Sequence, residues 1–254
     1  MNTITIWRKE LNSYFRSPIA YGVMAFFGLI SGYFFYVAIV FFVQASIQNS
    51  IQGQGQPMSV NEQVIRPIFS NISVIGLFLI PMITMRLFAE EKRTGTIELL
   101  VTSPIRDLEI IMGKWLAAMT LYAVMLGVSL LSMATLFVYG KPDWRPMAVG
   151  YLGLLLQGGC LLAIGTFIST CTKNQIVAGV AGFSVCLLLW VLDWMSSFQD
   201  SVSAKAISYL SVLQHFDSFS KGVLDSKDII YYFSAIFIGL FLTARSLESL
   251  RWRA

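Results

Sequence analysis

Few side chains in this chain have a type and spacing that could support catalysis. The adjacent carboxylates Glu90 and Glu91 could act as general acid and base only beside a histidine or in a water-excluding pocket, and the sequence indicates neither. The single histidine, His215, has no companion at a metal-binding spacing, so we expect an interfacial polar side chain rather than a metal ligand. The cysteines also lack metal spacing and are predicted to be free thiols packed among helices: Cys160, Cys171 and Cys186.

The common sequence motifs for ATP binding and for hydrolysis do not occur in this chain. The chain contains no G-x-x-x-x-G-K-[ST] loop, so it does not bind ATP by that device. Neither H-E-x-x-H nor G-x-S-x-G occurs, which disfavours a membrane protease or hydrolase. We therefore predict no catalytic residue, no metal site and no cofactor in this chain, and no residue type or spacing points to a substrate site.

The composition is that of an integral membrane protein. Of 254 residues 56% are hydrophobic and only 13% are charged, whereas soluble domains average about 25% charged residues. A membrane-crossing helix needs about 20 mostly apolar residues. We predict an all-α integral membrane fold, a single domain over residues 1–254 with six spans: Pro18–Val43, Ile68–Leu87, Ile110–Val138, Met147–Ile168, Ile176–Leu192 and Ile229–Thr243.

The distribution of Lys and Arg predicts cytoplasmic N- and C-termini. With that orientation the inner segments carry Arg8, Lys9, Arg16, Arg86, Lys92, Arg93, Arg106, Lys114, Lys173, Arg245, Arg251 and Arg253. The outer segments carry only Arg66, Lys141, Arg145, Lys205, Lys221 and Lys227. The basic inner flanks also account for the net charge of +4 by facing anionic lipid headgroups, so no nucleic-acid partner is needed.

Several shorter elements flank the predicted spans. Residues 1–17 have an apolar stripe at helical spacing and should lie along the membrane interface as an amphipathic helix. Residues 44–57 are rich in Gln and Gly and are expected to be a mobile loop, and Ser59 with Glu62 has the spacing of a capping box at the next helix. Residues 193–227 should contain short re-entrant outer helices before the sixth span, because apolar residues recur there at helical spacing.

Inside the spans, charged side chains are almost absent, and polar residues are few. Gln157 is the one notable polar residue well inside a predicted span. Two small-residue patches are candidates for close helix packing, Gly28 with Gly32 and a second patch around Gly158 and Gly165. The lack of intramembrane charge argues against a proton- or ion-driven transporter, and the lack of a polar stripe argues against a passive channel.

The most informative segment, residues 86–109, lies between the second and third spans. Its charged residues cannot lie in hydrocarbon, so it must protrude on one membrane face. The pattern predicts that the helix of the second span continues through residues 88–93 and breaks at Gly95, because glycine disfavours the helix interior. A short helix is expected over Thr96–Thr102. A third helix is expected to be capped by Ser103 and Pro104.

This segment resembles that of the ABC-2-type permeases, the membrane halves of ATP-binding-cassette exporters. The resemblance rests on the sequence E-E-K-R-T-G-T-I-E-L-L at residues 90–100, followed by Pro104, and it extends over nearly the whole chain. Lys92 and Ile97 depart mildly from the family pattern, in which Arg and Leu are frequent. A run of aromatic, histidine and acidic residues from Tyr209 to Tyr232 is most similar to the gliding-motility permeases, with the nitrous-oxide-reductase-maturation permeases next.

The resemblance implies that the short cytoplasmic helix is a coupling helix seated in a cleft of a separate ATPase. Carried over to this chain, the coupling positions are Glu90, Glu91, Gly95, Thr96, Glu98, Leu99 and Pro104. The implied partners are a cytoplasmic ABC ATPase dimer that binds ATP and Mg, a second permease chain, membrane lipid, and periplasmic or accessory subunits. The implied location is a bacterial inner membrane.

Two functions follow from the resemblance. In the first, the chain is the permease subunit of an exporter, and its apolar path fits an amphipathic or lipid-linked substrate better than a small ion. In the second, it is a non-transporting scaffold or mechanotransmitter that passes ATPase motion to outer partners in a motility or assembly complex.

Overall fold

The computed structural model describes residues 2–51, 59–98, 105–140, 142–196 and 209–251. Nearly all of these residues are helical, and none of them lies in a strand. The helices are α1 Asn2–Arg16, α2 Pro18–Ile51, α3 Arg66–Thr84, α4 Ala89–Thr94, α5 Asp107–Tyr139, α6 Trp144–Cys171, α7 Gln175–Ser196, α8 Val212–Ser220 and α9 Ser226–Arg251, with a π-helical turn at Asn61–Ile65 before α3. Six helical stretches in the described part are long and apolar enough to cross a membrane, which confirms the predicted fold class.

Helices α3 and α6 form the interior of the bundle. Over their most apolar stretches, 72% of the residues of the second span and 56% of those of the fourth are buried, against 17% for the first, fifth and sixth. Helix α6 packs against α3, α4, α5, α7, α8 and α9. The outer spans therefore present most of their apolar surface away from the interior, while a displacement of α6 would act on six neighbouring helices.

Close approach to α6 depends on its glycines. A Cβ atom at Gly158 would overlap the ring of Tyr122, and one at Gly165 would overlap Thr84. The predicted packing patch around these glycines is thus a real contact surface. The other predicted patch is confirmed within this chain only at Gly28, where a Cβ atom would lie 3.3 Å from Val128 Cγ1, a tight contact. At Gly32 no described atom lies within 4 Å of such a Cβ atom.

The region after the first span differs from the prediction. Residues 44–51, expected to be loop, continue helix α2 to Ile51, and residues 52–58 lie outside the described part. At 34 residues, α2 is about 51 Å long, well beyond an apolar bilayer core of about 30 Å. Its polar last turns therefore extend past the hydrocarbon without leaving the helix.

The start of the next helix also differs in detail. It begins ahead of the apolar stretch and runs through Pro67, as predicted. The predicted capping box of Ser59 and Glu62 is wrong, because the N-cap residue is Val60 and no side chain caps the first turn. The first turn is instead a widened π-helical one at Asn61–Ile65. Pro67 has no N–H for the carbonyl of Gln63, so a regular α-helical ladder cannot form here.

The buried groups among the spans are partly those expected. Gln157 is buried as predicted, and its Oε1 accepts a hydrogen bond of 2.8 Å from Ser73. Cys160 and Cys186 are buried free thiols, whereas Cys171 is exposed, contrary to the expectation that all three pack among helices. The expectation of almost no charge inside the bundle misses Lys114 and Asp228, which are both almost completely buried.

Part of the outer segment 193–227 can be compared with its prediction. Residues 197–208 lie outside the described part, and α8, Val212–Ser220, supplies one short helix of the predicted kind. After α8 the chain turns at Gly222, whose φ of 78° is in the left-handed region that favours glycine. His215 on α8 is enclosed by protein with 3% exposure, so its description as an interfacial side chain is wrong.

Candidate functional site

Helix α1 is fastened to the beginning of α5. The Trp7 indole Nε1 donates a hydrogen bond of 3.0 Å to Thr120 Oγ1. A Cβ atom at Gly113 would lie 2.8 Å from the Cβ atom of Ile6, so only glycine permits this approach. The amphipathic N-terminal helix predicted from residues 1–17 is therefore present, and it is packed against the protein as well as carrying an exposed polar face.

The segment after α3 does not continue as one helix, contrary to the prediction. Residues 85–88 form a turn, and a new short helix, α4, begins at Ala89. Ser169 on α6 explains why α4 can start there, because its Oγ accepts hydrogen bonds of 3.1 Å from the backbone N–H groups of both Phe88 and Ala89. A side chain from the central helix thus satisfies two of the four orphan donors of α4.

The other end of this contact involves the last turn of α6. The ammonium group of Lys92 on α4 donates a hydrogen bond to the carbonyl oxygen of Thr170. Carbonyl groups at a helix C-terminus lack intrahelical partners and attract positive charge. Helix α4 is therefore joined to the end of α6 through both its own N-terminus and a side chain.

A buried lysine connects α4 to two further helices. Lys114, in the second turn of α5, lies 2.9 Å from Glu10 Oε1 on α1 and 2.8 Å from Glu91 Oε1 on α4. Its side chain is only 2% exposed, and its ammonium group lies 5.2 Å from the ring centre of Phe88. We call Lys114, Glu10 and Glu91 the inner charge node.

The energetics of this node make it a constraint on helix positions. Removing one partner of a buried ion pair costs about 3–5 kcal/mol, because the remaining charge is left without compensation. Lys9, a mostly exposed cation beside the node, approaches Glu10 and Glu91 at 3.8 and 3.9 Å and offsets their second negative charge. If helices α1, α4 and α5 separated, a charged group would either become exposed to solvent or stay buried without its partner.

The tip of the segment projects from this anchored base. Gly95 ends α4 with a φ of 76°, which confirms the predicted break and its reason. Thr94, Gly95, Thr96 and Glu98 are exposed, and Ile97 is half-buried against the core. The hydroxyl groups of Thr94 and Thr96 are 2.9 Å apart and share a hydrogen bond that stiffens the turn.

An open cleft lies between α1 and the base of α4. It has a volume of about 530 Å³ and contains the carboxylates of the inner charge node together with Glu90. Arg86 pairs with Glu90 at 3.4 Å. The residues lining the cleft are Lys9, Glu10, Ser13, Arg86, Leu87, Glu90, Glu91, Thr94, Thr96, Ile105 and Lys114.

The structure brings most of the predicted coupling positions into one element. Glu90 and Glu91 lie at its base, and Gly95, Thr96 and Glu98 at its tip. Leu99 and Pro104 lie outside the described residues, as does most of the short helix predicted over Thr96–Thr102. The cap predicted for the third helix at Ser103 and Pro104 is wrong, because the N-cap residue of that helix is Arg106. Residues 96–98 are helical, and the third helix begins at Asp107.

Sequence reasoning missed the residues that hold this element in place. The burial of Lys114 could have been suspected from the sequence, because Lys114 is a lone charge within an otherwise apolar run. It was interpreted only as a cation at the membrane interface. Ser169 and Glu10 gave no signal, because their partners are distant in sequence. In the described part of the chain, no group of three or more His, Cys, Asp and Glu residues could hold a metal ion. The carboxylates at the base of α4 form ion pairs with Arg86 and Lys114.

These features define a multi-pass helical membrane protein with a charged elbow between its second and third spans. The chain matches the ABC-2 family of transporter proteins over residues 4–246, and it belongs to that family. Similar proteins include one named probable multidrug ABC transporter permease YbhR, from Escherichia coli strain K12 and from strain O157:H7. Each is 23% identical over 174 residues, which are 66% of this chain and 46% of the relative.

The chain therefore aligns with about half the length of these relatives. Family membership and the six spans together make the chain a multi-pass membrane protein of a transporter family. The finer likeness to gliding-motility or nitrous-oxide-reductase-maturation permeases stays a prediction.

Proposed function

We propose that this chain is the permease subunit of a bacterial inner-membrane ABC exporter, driven by ATP hydrolysis in a separate ATPase subunit. The termini and the tip at residues 95–98 face the cytoplasm. One observation carries the proposal. The exposed tip continues from helix α4, whose first two N–H groups bond Ser169 of the central helix α6 and whose Glu91 pairs with the buried Lys114, which links α4 to α5 and α1.

The contacts of α4 provide a route by which a displacement of the tip is transmitted to the membrane-spanning helices. A displacement of α4 acts on α6 through Ser169 and Thr170, and on α1 and α5 through Lys114. Because hydrogen-bonded and ion-paired helices resist local deformation, the motion is passed on as a rigid-body shift. Helix α6 then transfers it to the neighbouring spans.

The substrate path lies between this chain and a second permease, identical or homologous. The lipid-facing helices carry large exposed apolar side chains that a second chain or lipid would cover, among them Leu29, Tyr36, Phe41, Ile230 and Phe237. ATP and Mg bind to the partner ATPase dimer. An apolar path suits an amphipathic or lipid-linked substrate, which enters the pathway from the membrane.

Coupling is tested by reversing one charge at each end of the molecule. Glu98→Arg, at the exposed tip, should weaken co-purification of the ATPase encoded beside this gene and reduce the ATP hydrolysis of the complex. Glu62→Arg, an equal charge change on an exposed residue before α3, is the matched control and should leave both unchanged. Gly95→Pro should also uncouple hydrolysis, because proline cannot adopt a φ of 76°. Normal ATPase binding and activity in Glu98→Arg and Gly95→Pro would overturn the assignment.

Export is tested separately from coupling. The reconstituted complex should move a lipid or amphiphile across vesicle membranes in an ATP-dependent manner, and the Glu98→Arg complex should not. Failure of movement with a coupled, hydrolysing ATPase, together with co-purifying periplasmic proteins, would contradict the exporter and favour the mechanotransmitter.

A further inference from the structure

The end of the bundle opposite the tip contains a buried histidine–aspartate pair. His215 on α8 and Asp228 in the first turn of α9 are 3% and 2% exposed, and His215 Nδ1 lies 2.7 Å from Asp228 Oδ1. Arg66, at the start of α3, bonds Asp217 on the same helix α8, whereas α4 follows the far end of α3. The pair and the tip are therefore separated by the length of a span.

The hydrogen bonds of the imidazole fix how many protons the pair holds. His215 Nε2 lies 3.0 Å from the carbonyl oxygen of Tyr209, and a carbonyl can only accept, so Nε2 carries a hydrogen. A contact of 2.7 Å between Nδ1 and Oδ1 requires a second hydrogen between those atoms, on one or the other. Imidazolium with carboxylate and imidazole with carboxylic acid contain the same number of protons, and both are neutral as a pair.

The surroundings make loss of this second proton costly. The imidazole stacks on the ring of Tyr231 with 3.8 Å between ring centres, and the ring of Tyr209 stands edge-on at 4.8 Å. Asp228 Oδ2 is buried without a hydrogen-bond partner in the described part of the chain. Without this proton the imidazole has one hydrogen for two contacts, so lone pairs would face each other either between Nδ1 and Asp228 Oδ1 or between Nε2 and the Tyr209 carbonyl oxygen. A net negative charge would also be buried among aromatic rings.

The same contact determines how α8 is attached. Tyr231 Oη and Tyr232 Oη each donate a hydrogen bond of 2.8 Å, to the carbonyl oxygens of Leu210 and Val212. These phenols and the His215–Asp228 pair together join the start of α8 to the first turns of α9. Of these three links, only the pair contains an imidazole, the side-chain type whose ordinary pKa lies near neutral pH.

We propose that His215 and Asp228 form a proton-binding site in which one shared proton holds α8 on α9. Protonation keeps the outer helix docked on the sixth span, and release of the proton, as the pH at this face rises, lets α8 open. The inference is independent of the proposed coupling to an ATPase, since it concerns the opposite end of the chain.

Other titratable groups near the pair do not replace it. The groups on the adjoining elements are Tyr209, Tyr231 and Tyr232, Cys160 of α6, the exposed Asp225–Lys227 pair, and the Arg66–Asp217–Lys221 cluster on the far side of α8. Asp225 and Lys227 pair with each other at 2.9 Å, and Asp217 is satisfied by Arg66 and Lys221. The shared proton is therefore bound by His215 and Asp228 alone.

The matched test compares two Asp→Asn variants of the full chain in lipid nanodiscs. In Asp228→Asn the amide N–H donates permanently to Nδ1, so the contact survives without a titrating proton. In Asp225→Asn, three residues away and exposed, the pair is untouched. Hydrogen exchange of the α8 amides, corrected for its intrinsic pH dependence, should speed up by about tenfold or more as pH rises in the wild type and in Asp225→Asn. It should stay constant in Asp228→Asn.

A second measurement keeps the proposal open to refutation if Asp228→Asn fails to fold. His215 is the only histidine in the chain, so nitrogen NMR of histidine-labelled protein with a histidine-free tag observes this imidazole alone. One pH step should appear in its signals and coincide with the loss of α8 protection. Protection of α8 that is independent of pH, an opening without a step in the imidazole signals, or equal pH profiles for wild type and a folded Asp228→Asn would each overturn the proposal.

Discussion

The two ends of the bundle are held together in different ways. At the inner end, Lys114 joins residues from helices far apart in the sequence, Glu10 and Glu91, and an exposed tip projects from the joint. At the outer end, His215 and Asp228 join neighbouring elements, and the helix that carries His215 is packed into the bundle. The inner arrangement can pass displacement between distant helices, whereas the outer arrangement fixes one short helix to one span.

The largest expected effect is at the inner charge node. Lys114→Ala leaves Glu10 and Glu91 facing each other without their buried cation, and it should lower the free energy of unfolding by about 3–5 kcal/mol. Lys9→Ala removes a mostly exposed cation beside the same carboxylates and should change it by less than about 0.5 kcal/mol. Thermal unfolding of both variants in the same detergent checks the difference. Equal losses would show that Lys114 does not hold the helices together.

The next effect compares two glycines. A Cβ atom at Gly153 would lie 2.5 Å from the Cβ atom of Phe219, so Gly153→Ala should push α8 away from α6 and cost about 1–3 kcal/mol. Gly32→Ala meets no atom within 4 Å and should stabilise α2 by about 0.4–1 kcal/mol. Thermal unfolding again gives the measurement, and the two variants should change the free energy of unfolding in opposite directions. A destabilised Gly32→Ala protein would mean that this position packs against a second chain.

A smaller effect is expected at the cap of α4. Ser169→Ala removes the acceptor of the Phe88 and Ala89 N–H groups and should weaken α4 by about 0.5–2 kcal/mol. Ser184→Ala is the control, because Ser184 Oγ only bonds back to the carbonyl oxygen of Val180 within its own helix. Hydrogen exchange of the α4 amides should accelerate in the first variant alone. Unchanged α4 protection in Ser169→Ala would show that Ser169 does not stabilise the start of α4.

The smallest effect concerns the exposed charges of the outer end. Partial burial raises the pKa of Asp217, but hydrogen bonds from Lys221 and Arg66 and their charges outweigh it, so the net pKa lies below its usual value. A carboxyl group whose pKa is lowered on folding stabilises the protein above its unfolded pKa of about 3.9. That contribution is lost as pH falls through the lower folded pKa. For this half-exposed group it should be about 0–1 kcal/mol.

Asp217→Asn should therefore reduce stability slightly at neutral pH and flatten the acid limb of the unfolding profile. Acid titration of wild type and variant, followed by helical circular dichroism, measures it. A variant that is more sensitive to acid than the wild type would contradict this assignment of the Arg66–Asp217–Lys221 contacts.

Features with a local cause could be predicted from the sequence. The spans follow from runs of apolar residues long enough to cross a bilayer, and Gly95 marks the end of α4 because only glycine readily adopts its backbone conformation. The course of α8 follows from apolar residues at helical spacing. Each of these features depends on residues that are close together in the sequence.

The features that were missed depend on partners far along the chain. Lys114 is buried because Glu10 and Glu91 arrive from two other helices, and no local pattern reveals that meeting. The start of α4 depends on Ser169, some eighty positions later, so an unbroken helix was the natural expectation. His215 looked solitary because Asp228 belongs to the next helix, and an Asp at a span boundary is ordinarily an interface residue.

The central claim is that the tip at residues 95–98 is where a separate ATPase binds, and one cross-linking measurement tests it directly. In a Cys171→Ser background, Thr96→Cys and Gln214→Cys place one exposed thiol at each end of the bundle. With the permease and the neighbouring ATPase co-expressed, a short thiol cross-linker should join the ATPase to Thr96→Cys and not to Gln214→Cys. Capture of the ATPase from Gln214→Cys, or from neither site in an intact complex, would contradict the account.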